Sequence, residues 1–351
     1  MTTAPRTSLG AGYRQVAWRR RMILAVLLAL LLAVFVTDIT TGPSALPLRD
    51  IVQGLLQPQN MPPEQHVILW ELRLPYALMA LLVGCALGLA GAEMQTVLNN
   101  PLASPFTLGI SAAASVGASI VIISGWSLVL WNENLALTLG AFGMAALVTL
   151  LILWLSWWRG ATTETMVLFG IGLVFSLEAL LWLLQYLADS NALQQIVFWS
   201  MGSLARATWS KIGILAVVLL ACSLLAGAKV WSLTALRAGE EQARSMGVSV
   251  ERLRLMTMLR ISLLAATALS FVGTIGFVGL VGPHVARLLL GENHRYYLPG
   301  SMLAGALMLS AASVLSKTLV SGVILPIGVI TALVGVPLFM TLVAYSRRRH
   351  A

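Results

Sequence analysis

Charge is scarce in this sequence. Asp, Glu, Lys and Arg together make up 10% of its 351 residues, where soluble domains carry about 25%. With 58% hydrophobic residues and a mean hydropathy of +0.88, an ordinary water-soluble domain is excluded and the chain belongs in a membrane. Cysteine is almost missing. Cys85 and Cys222 are the only two; they lie in apolar runs without metal-ligand spacing or a redox pair, so they read as small core residues. Phosphate-loop and zinc-protease signatures are missing as well, since neither G-x-x-x-x-G-K-[ST] nor H-E-x-x-H occurs. No Cys/His cluster is visible, and no nucleophile stands beside an obvious base. His66, His284 and His294 fall in expected loops and His350 in a tail, which argues against haem or metal ligation. No catalytic residue is expected. If ATP powers this protein, a partner chain hydrolyses it, and no cofactor is bound here.

Acidic residues are scarcer than basic ones, 13 against 22, giving a formal charge of +9. Nucleic acid is not needed to explain that excess. Arg19-Arg20-Arg21 and Arg347-Arg348-Arg349 each abut an apolar run, the mark of cytoplasmic flanks, helped by anionic headgroups. Both termini are then expected on the cytoplasmic side, and the number of spans must be even. The apolar run after Arg21 is long and lacks a small-residue cleavage site, so it is expected to stay as a helix.

Ten spans follow from the apolar pattern. The first runs from Met22 to about Val36, after a polar tail over 1–21. A Pro-rich loop over 38–66 precedes the second, which Trp70 to Pro75 opens and which continues to Leu98, with Pro75 in its first turn. The break Asn99-Asn100-Pro101 leads to a third span over Phe106–Ile123. A fourth covers Asn134–Leu155 and a fifth Met166–Leu187. Residues 188–210 are too polar to span; they predict an interfacial helix with Trp199 and Trp209 at headgroup level. The sixth covers Ile212–Ala228, the seventh Leu255–Val272, the ninth Tyr297–Ser316 and the tenth Ile327–Tyr345. The eighth, Gly273–Val281, is short for ~30 Å of hydrocarbon and reads as partly re-entrant. This threading puts all but five of the 22 Lys and Arg (Arg49, Arg73, Arg206, Lys211 and Lys317) on one side. Residues 22–346 form one transmembrane domain between basic tails at 1–21 and 347–351. Small residues such as Gly84, Gly88, Gly91, Gly117, Gly300 and Gly305 let helices approach closely. Broken segments beside Pro and Gly in both halves are the pattern of an internal repeat.

One stretch breaks the apolar rule. Lys229 to Arg260 holds nine charged side chains, which hydrocarbon does not accept at roughly 2.5–3.5 kcal/mol each, so the stretch is expected in water. Glu240, Glu241 and Arg244 can share a helix face, Gly247 can end that helix, and Val248 to Glu251 can start another. A helix–Gly–helix of this kind suits the docking of a soluble partner; it also suits a solvated loop whose arginines only fix orientation. Two carboxylates lie inside spans. Glu93, close to Gln95 and the Asn99 break, reads as structural. Glu178, near mid-membrane, fits either a translocation path or a pair with a neighbouring helix.

Five ordered motifs resemble the FecCD family, the membrane permeases of ABC importers for iron–siderophore complexes, haem and vitamin B12. They are Arg73-Leu74-Pro75, then Gly91-Ala92-Glu93-Met94-Gln95 with Asn100-Pro101-Leu102-Ala103-Ser104-Pro105. Gly239-Glu240 with Ala243, Arg244 and Gly247 follows, then Gly276-Phe277-Val278-Gly279-Leu280 with Pro283, His284 and Arg287. Leu325-Pro326-Ile327-Gly328 with Thr331, Gly335 and Pro337 completes the set. The resemblance implies an all-α integral membrane protein of the type II ABC importer permease fold, with about ten transmembrane helices. It implies partners: a cytoplasmic ABC ATPase dimer, a second permease subunit (identical or homologous), and a periplasmic or lipid-anchored substrate-binding protein. The 229–256 loop becomes the coupling loop, with Gly239, Glu240, Ala243, Arg244 and Gly247 at the ATPase. Arg73 and Lys317 would meet the binding protein, Thr163 and Glu164 would form a cytoplasmic gate, and helices five and ten would line the path. The expected setting is the bacterial cytoplasmic membrane, with lipid around it and no nucleic acid. Tyr76 and Ile324 depart from the family's second Arg and its frequent acidic residue. The leading substrate is a ferric siderophore or similar iron chelate. The competing reading is an ion-coupled secondary transporter using Glu178.

Overall fold

The computed structural model describes residues 9–44, 46–125, 132–159 and 163–348, and among these no strand occurs. A membrane explains the all-helical outcome, because in hydrocarbon a backbone must satisfy its own polar groups. The helices are α1 (Leu9–Thr40), α2 (Leu48–Leu56), α3 (Pro63–Val97), α4 (Ile110–Ser124), α5 (Glu133–Arg159), α6 (Thr163–Leu187) and α7 (Ser190–Ser200). They continue with α8 (Trp209–Gly227), α9 (Val230–Arg237), α10 (Glu240–Ser245), α11 (Val250–Val272), α12 (Val278–Leu290), α13 (His294–Thr318) and α14 (Ile327–Arg348). Seven of these (α1, α3, α5, α6, α8, α11 and α13) are long and apolar enough to cross a membrane; α4, α12 and α14 are shorter apolar helices. Together these ten match the ten expected spans.

α3 is the axis of the bundle, packed most extensively on α13 and also on α11 and α12. Glycine makes this possible. A Cβ on Gly91 would lie 1.8 Å from the Gly279 carbonyl oxygen of α12, and one on Gly84 would lie 2.5 Å from the Ala306 Cα of α13. Gly84, Gly88, Gly91, Gly117 and Gly305 thus mark close backbone approaches, while Gly300 makes room for the Leu290 side chain.

Several boundaries differ from the sequence expectation, each for a physical reason. The tail before Met22 is helical from Leu9 onward and continues α1. Pro75 lies in the first turn of the α-helical stretch Leu74–Val97 as expected, but α3 as a whole starts earlier, at Pro63. Proline lacks an N–H and crowds the carbonyl one turn back, and the chain absorbs it as a π-helical segment over Val67–Arg73. The eighth segment is shifted: Gly273 to Phe277 is non-helical and the helix runs Val278–Leu290, with Pro283, His284 and Arg287 inside it. That irregular backbone is tolerated inside a membrane protein because it is buried and bonded. Ser203 N donates to Val272 O, Ile327 N to Gly202 O and Gly328 N to Met201 O, so residues 200–203, 272–277 and 325–328 interlock. Trp199 is not interfacial; it is buried in the core at 2% exposure, on the helix that packs against α4. Trp209 is exposed, its Nε1 donating to the Trp70 carbonyl. Cys85 and Cys222 are buried as expected.

The charged stretch is not wholly aqueous. Arg254 and Arg260 are buried, and Arg260 enters the bundle to bind Glu93. Its Nη2 donates to Glu93 Oε1 and, at 2.9 Å, to the Thr257 hydroxyl. A buried charge persists only when paired and hydrogen-bonded, and this pair gives Glu93 the structural role its position indicated.

Candidate functional site

The segment expected to couple to an ATPase is built from its glycines outward. Gly239 has φ +130° and Gly247 φ +82°, backbone conformations in which an L side chain is strained. Gly247 closes α10 as a Schellman motif, with Val248 N donating to Ala243 O at 3.0 Å and Gly247 N to Arg244 O at 2.9 Å. Ala243 and Val248 are both buried, as the apolar contact of that motif requires. Glu240 pairs with Arg254 and Arg244 with Glu251, tying α10 to the start of α11. The frame leaves Glu241, Gln242, Arg244, Ser245, Met246 and Gly247 turned to solvent. Met246, an apolar side chain 49% exposed at the tip, is what a partner surface would cover.

Behind α10 lies a network that the sequence did not disclose. Arg237 of α9 donates to Asn99 Oδ1 and to Glu292 Oε1, the latter at 2.8 Å from Nη2. Arg287 of α12 reaches the same Glu292 at 3.4 Å and donates to Gln95 Oε1 at 2.7 Å and the Tyr297 hydroxyl at 3.1 Å. His294 is buried between the hydroxyls of Thr96 and Thr234, at 2.8 and 3.1 Å. Three separate motifs thus meet: the end of α3, the coupling segment and α12. Burial works to raise the Glu292 carboxyl, but the hydrogen bond and charge of Arg237, with Arg287 and His294, hold it below its ordinary value. Asn99 takes φ +44°, a left-handed conformation that Asn tolerates better than most residues. Arg237, Glu292 and His294 were missed because no spacing rule joins residues 55 to 198 positions apart.

A cleft of about 640 Å³ separates this network from α6, with Val167 and Leu168 on one wall and Asn99, Leu236, Gly239 and Glu240 on the other. The expected gate residues Thr163 and Glu164 open α6 on this side, but their side chains lie outside the described residues. Glu178 lies mid-helix and half-buried on α6, next to the buried Leu177.

On the opposite face the two cations expected to meet the binding protein are buried. Arg73 and Lys317 do not present themselves to solvent. Arg73 is 5% exposed and donates to the carbonyls of Ile39, Thr40 and Ser44, capping the end of α1. Lys317 is 9% exposed and bonds Asp38 Oδ1 at 2.8 Å, under which the Tyr76 ring lies 4.4 Å from the ammonium. Carbonyls at a helix end and a buried carboxylate draw these cations inward more strongly than water does. Tyr76, the departure from the family's second Arg, serves here as an aromatic face for Lys317.

Comparison with known proteins places the chain. The pattern of the FecCD transport family matches residues 29–345. The hemin transport system permease protein HmuU of Yersinia pestis is 35% identical over 281 residues, 80% of this chain and 84% of its own. The molybdate import system permease protein MolB of Haemophilus influenzae is 35% identical over 289 residues, covering 82% and 83%. A solved structure of an ABC transporter assigned to the metal-chelate type, in an inward-facing conformation, superposes with a TM-score of 0.82 at 31% identity, over 93% of this chain and 99% of that one. The ordered motifs, the ten-helix bundle and the matched span carry one conclusion: this chain belongs to the FecCD transport family of ABC importer permeases.

Proposed function

We propose that this chain is the membrane permease of a binding-protein-dependent ABC importer, that a partner ATPase docks on α10, and that the cargo is a ferric siderophore or related iron chelate. The observation that carries the docking is the built frame of α10, an exposed apolar tip held by two positive-φ glycines and two ion pairs. The ion pairs of Glu240 and Arg244 tie the tip to α11, and the network through Arg237, Glu292 and Arg287 ties the preceding α9 to the ends of α3 and α12, so movement of the ATPase reaches the bundle. In this reading the Arg-rich face is cytoplasmic, both termini lie on it, and Thr163 and Glu164 gate the path beside the cleft. A second permease subunit, identical or homologous, covers α6 and α14, whose Leu168, Phe175, Trp182, Tyr186, Leu333 and Met340 are exposed.

The bulk and apolar character of those faces support a large, weakly charged chelate. The relatives' cargoes differ from one another, hemin in one and molybdate in another, and a small oxyanion would call for polar donors along the path. Glu178 stands on the same helix and would be a rare polar contact for the cargo. Ion coupling through Glu178 is the weaker reading, because family membership supplies an ATP-driven partner. The test is uptake into proteoliposomes holding the permease, its ATPase and its binding protein, with ferric siderophore, haem and molybdate offered separately. ATP-dependent siderophore uptake is expected; uptake of haem or molybdate without siderophore uptake would overturn the cargo assignment.

A further inference from the structure

A second cleft, of about 670 Å³, opens between α8 and α11 beside the end of the coupling helix. Its mouth and its depth differ in chemistry. Lys229 and Arg252 stand at the mouth, both exposed, and neither side chain makes an ion pair or hydrogen bond to another described residue. Trp231 stands beside them, 62% exposed, in the aromatic position that marks a membrane–water boundary. Leu225, Leu259 and Leu263 continue the walls inward and are themselves exposed. From Arg252 to Leu263 the wall of α11 descends about 16 Å at 1.5 Å per residue. No acidic side chain lines the cleft, and the charge of Arg260 at its floor is already taken by Glu93.

We infer that this cleft binds one anionic phospholipid, its phosphate between Lys229 and Arg252 and an acyl chain along Leu225, Leu259 and Leu263. The arrangement of two unpaired cations above an apolar trough fits an amphipathic anion, and basic pockets between transmembrane helices on the cytoplasmic side take such headgroups. A soluble protein could meet the cations but would leave the leucines below them uncovered. Because Gly247 and Val248, which close α10, also line the mouth, the bound lipid braces the platform on which α10 stands.

The test is native mass spectrometry of the full chain in mild detergent, titrated with phosphatidylglycerol or phosphatidylcholine. The variants are Lys229→Gln/Arg252→Gln and, as a control on the same face, the exposed Arg295→Gln. Each basic contact favours an anionic headgroup by about fivefold. The wild type and the control should therefore prefer phosphatidylglycerol by about 25-fold with one tightly held molecule, and the double variant should lose that preference. Equal binding of the two lipids by wild type, or an unchanged preference in the double variant, overturns the site. So does a double variant that keeps the lipid preference but loses a co-purifying protein, which would make the cations a protein contact. If the double variant does not fold, the single variants Lys229→Gln and Arg252→Gln are compared instead, each expected to lose about fivefold.

Discussion

The two faces of this bundle treat charge in opposite ways. On the coupling face, arginines form an open lattice: Arg244 with Glu251, and Arg237 and Arg287 with Glu292, all with at least one partner substantially exposed. On the other face, the cations nearest the helix ends turn inward. Lys317 joins Asp38 inside the protein and Arg73 caps α1. The contrast teaches that a charge at a helix end is a surface feature only when nothing within reach is worse solvated. Asp38, fully buried and with Oδ2 lacking a partner, draws Lys317 in; Glu240, Glu251 and Glu292 stay substantially exposed and hold their arginines at the surface or just beneath it.

The sharpest way to break this comparison is Lys317→Ala. Removing one partner of a buried pair strands the other, at a cost of about 3–5 kcal/mol. Thermal unfolding in detergent should show a large loss, and Asp38→Asn in the same background should restore part of it; an unchanged melting temperature would falsify the inward pairing. Next comes Gly91→Ala, where the new Cβ meets the Gly279 carbonyl and the overpacking costs about 1–3 kcal/mol, read by the same melt. Arg244→Ala on the open face should cost less than about 1 kcal/mol, since both partners are mostly exposed, and the difference should shrink further in high salt. The smallest effect belongs to Glu292. Its carboxyl is held below the ordinary value by Arg237 and Arg287, so its contribution is present above the unfolded carboxylate pKa of about 4.3. It is lost only as pH falls below that, through the lower folded value. Glu292→Gln should therefore reduce the acid-side slope of stability below about pH 4.3 and leave stability between pH 6 and 8 nearly flat.

The fold was largely legible because spans are long and apolar, and α10 was legible because Gly239, Gly247 and the charges between them are local signals. Pro75 was legible as a first-turn residue, but the π-helical segment over Val67–Arg73 that joins its helix to Pro63–His66 was not, because no local signal marks the extra residue in that turn. Trp199 was misread because an aromatic near a polar run fits both an interface and a core; its burial against α4 is a tertiary fact. Arg73 and Lys317 read as exposed charges and are buried, because the sequence does not show which carbonyls or carboxylates come within reach. Glu93 gained its partner Arg260 from 167 residues away, a distance over which spacing carries no information.

The central claim, that α10 is the docking plug of an ATPase, is tested most directly at its tip. Met246 is exposed, sits at φ −84° and does not hold the Schellman turn, so Met246→Arg changes the surface without straining the backbone. The measurement is the amount of co-purified ATPase activity per permease in mild detergent, wild type beside Met246→Arg, with melting temperature as the folding control. The account predicts at least about a tenfold loss of ATPase, a little over 1.4 kcal/mol of binding, with an unchanged melt. Wild-type levels of ATPase on a folded Met246→Arg permease would contradict it.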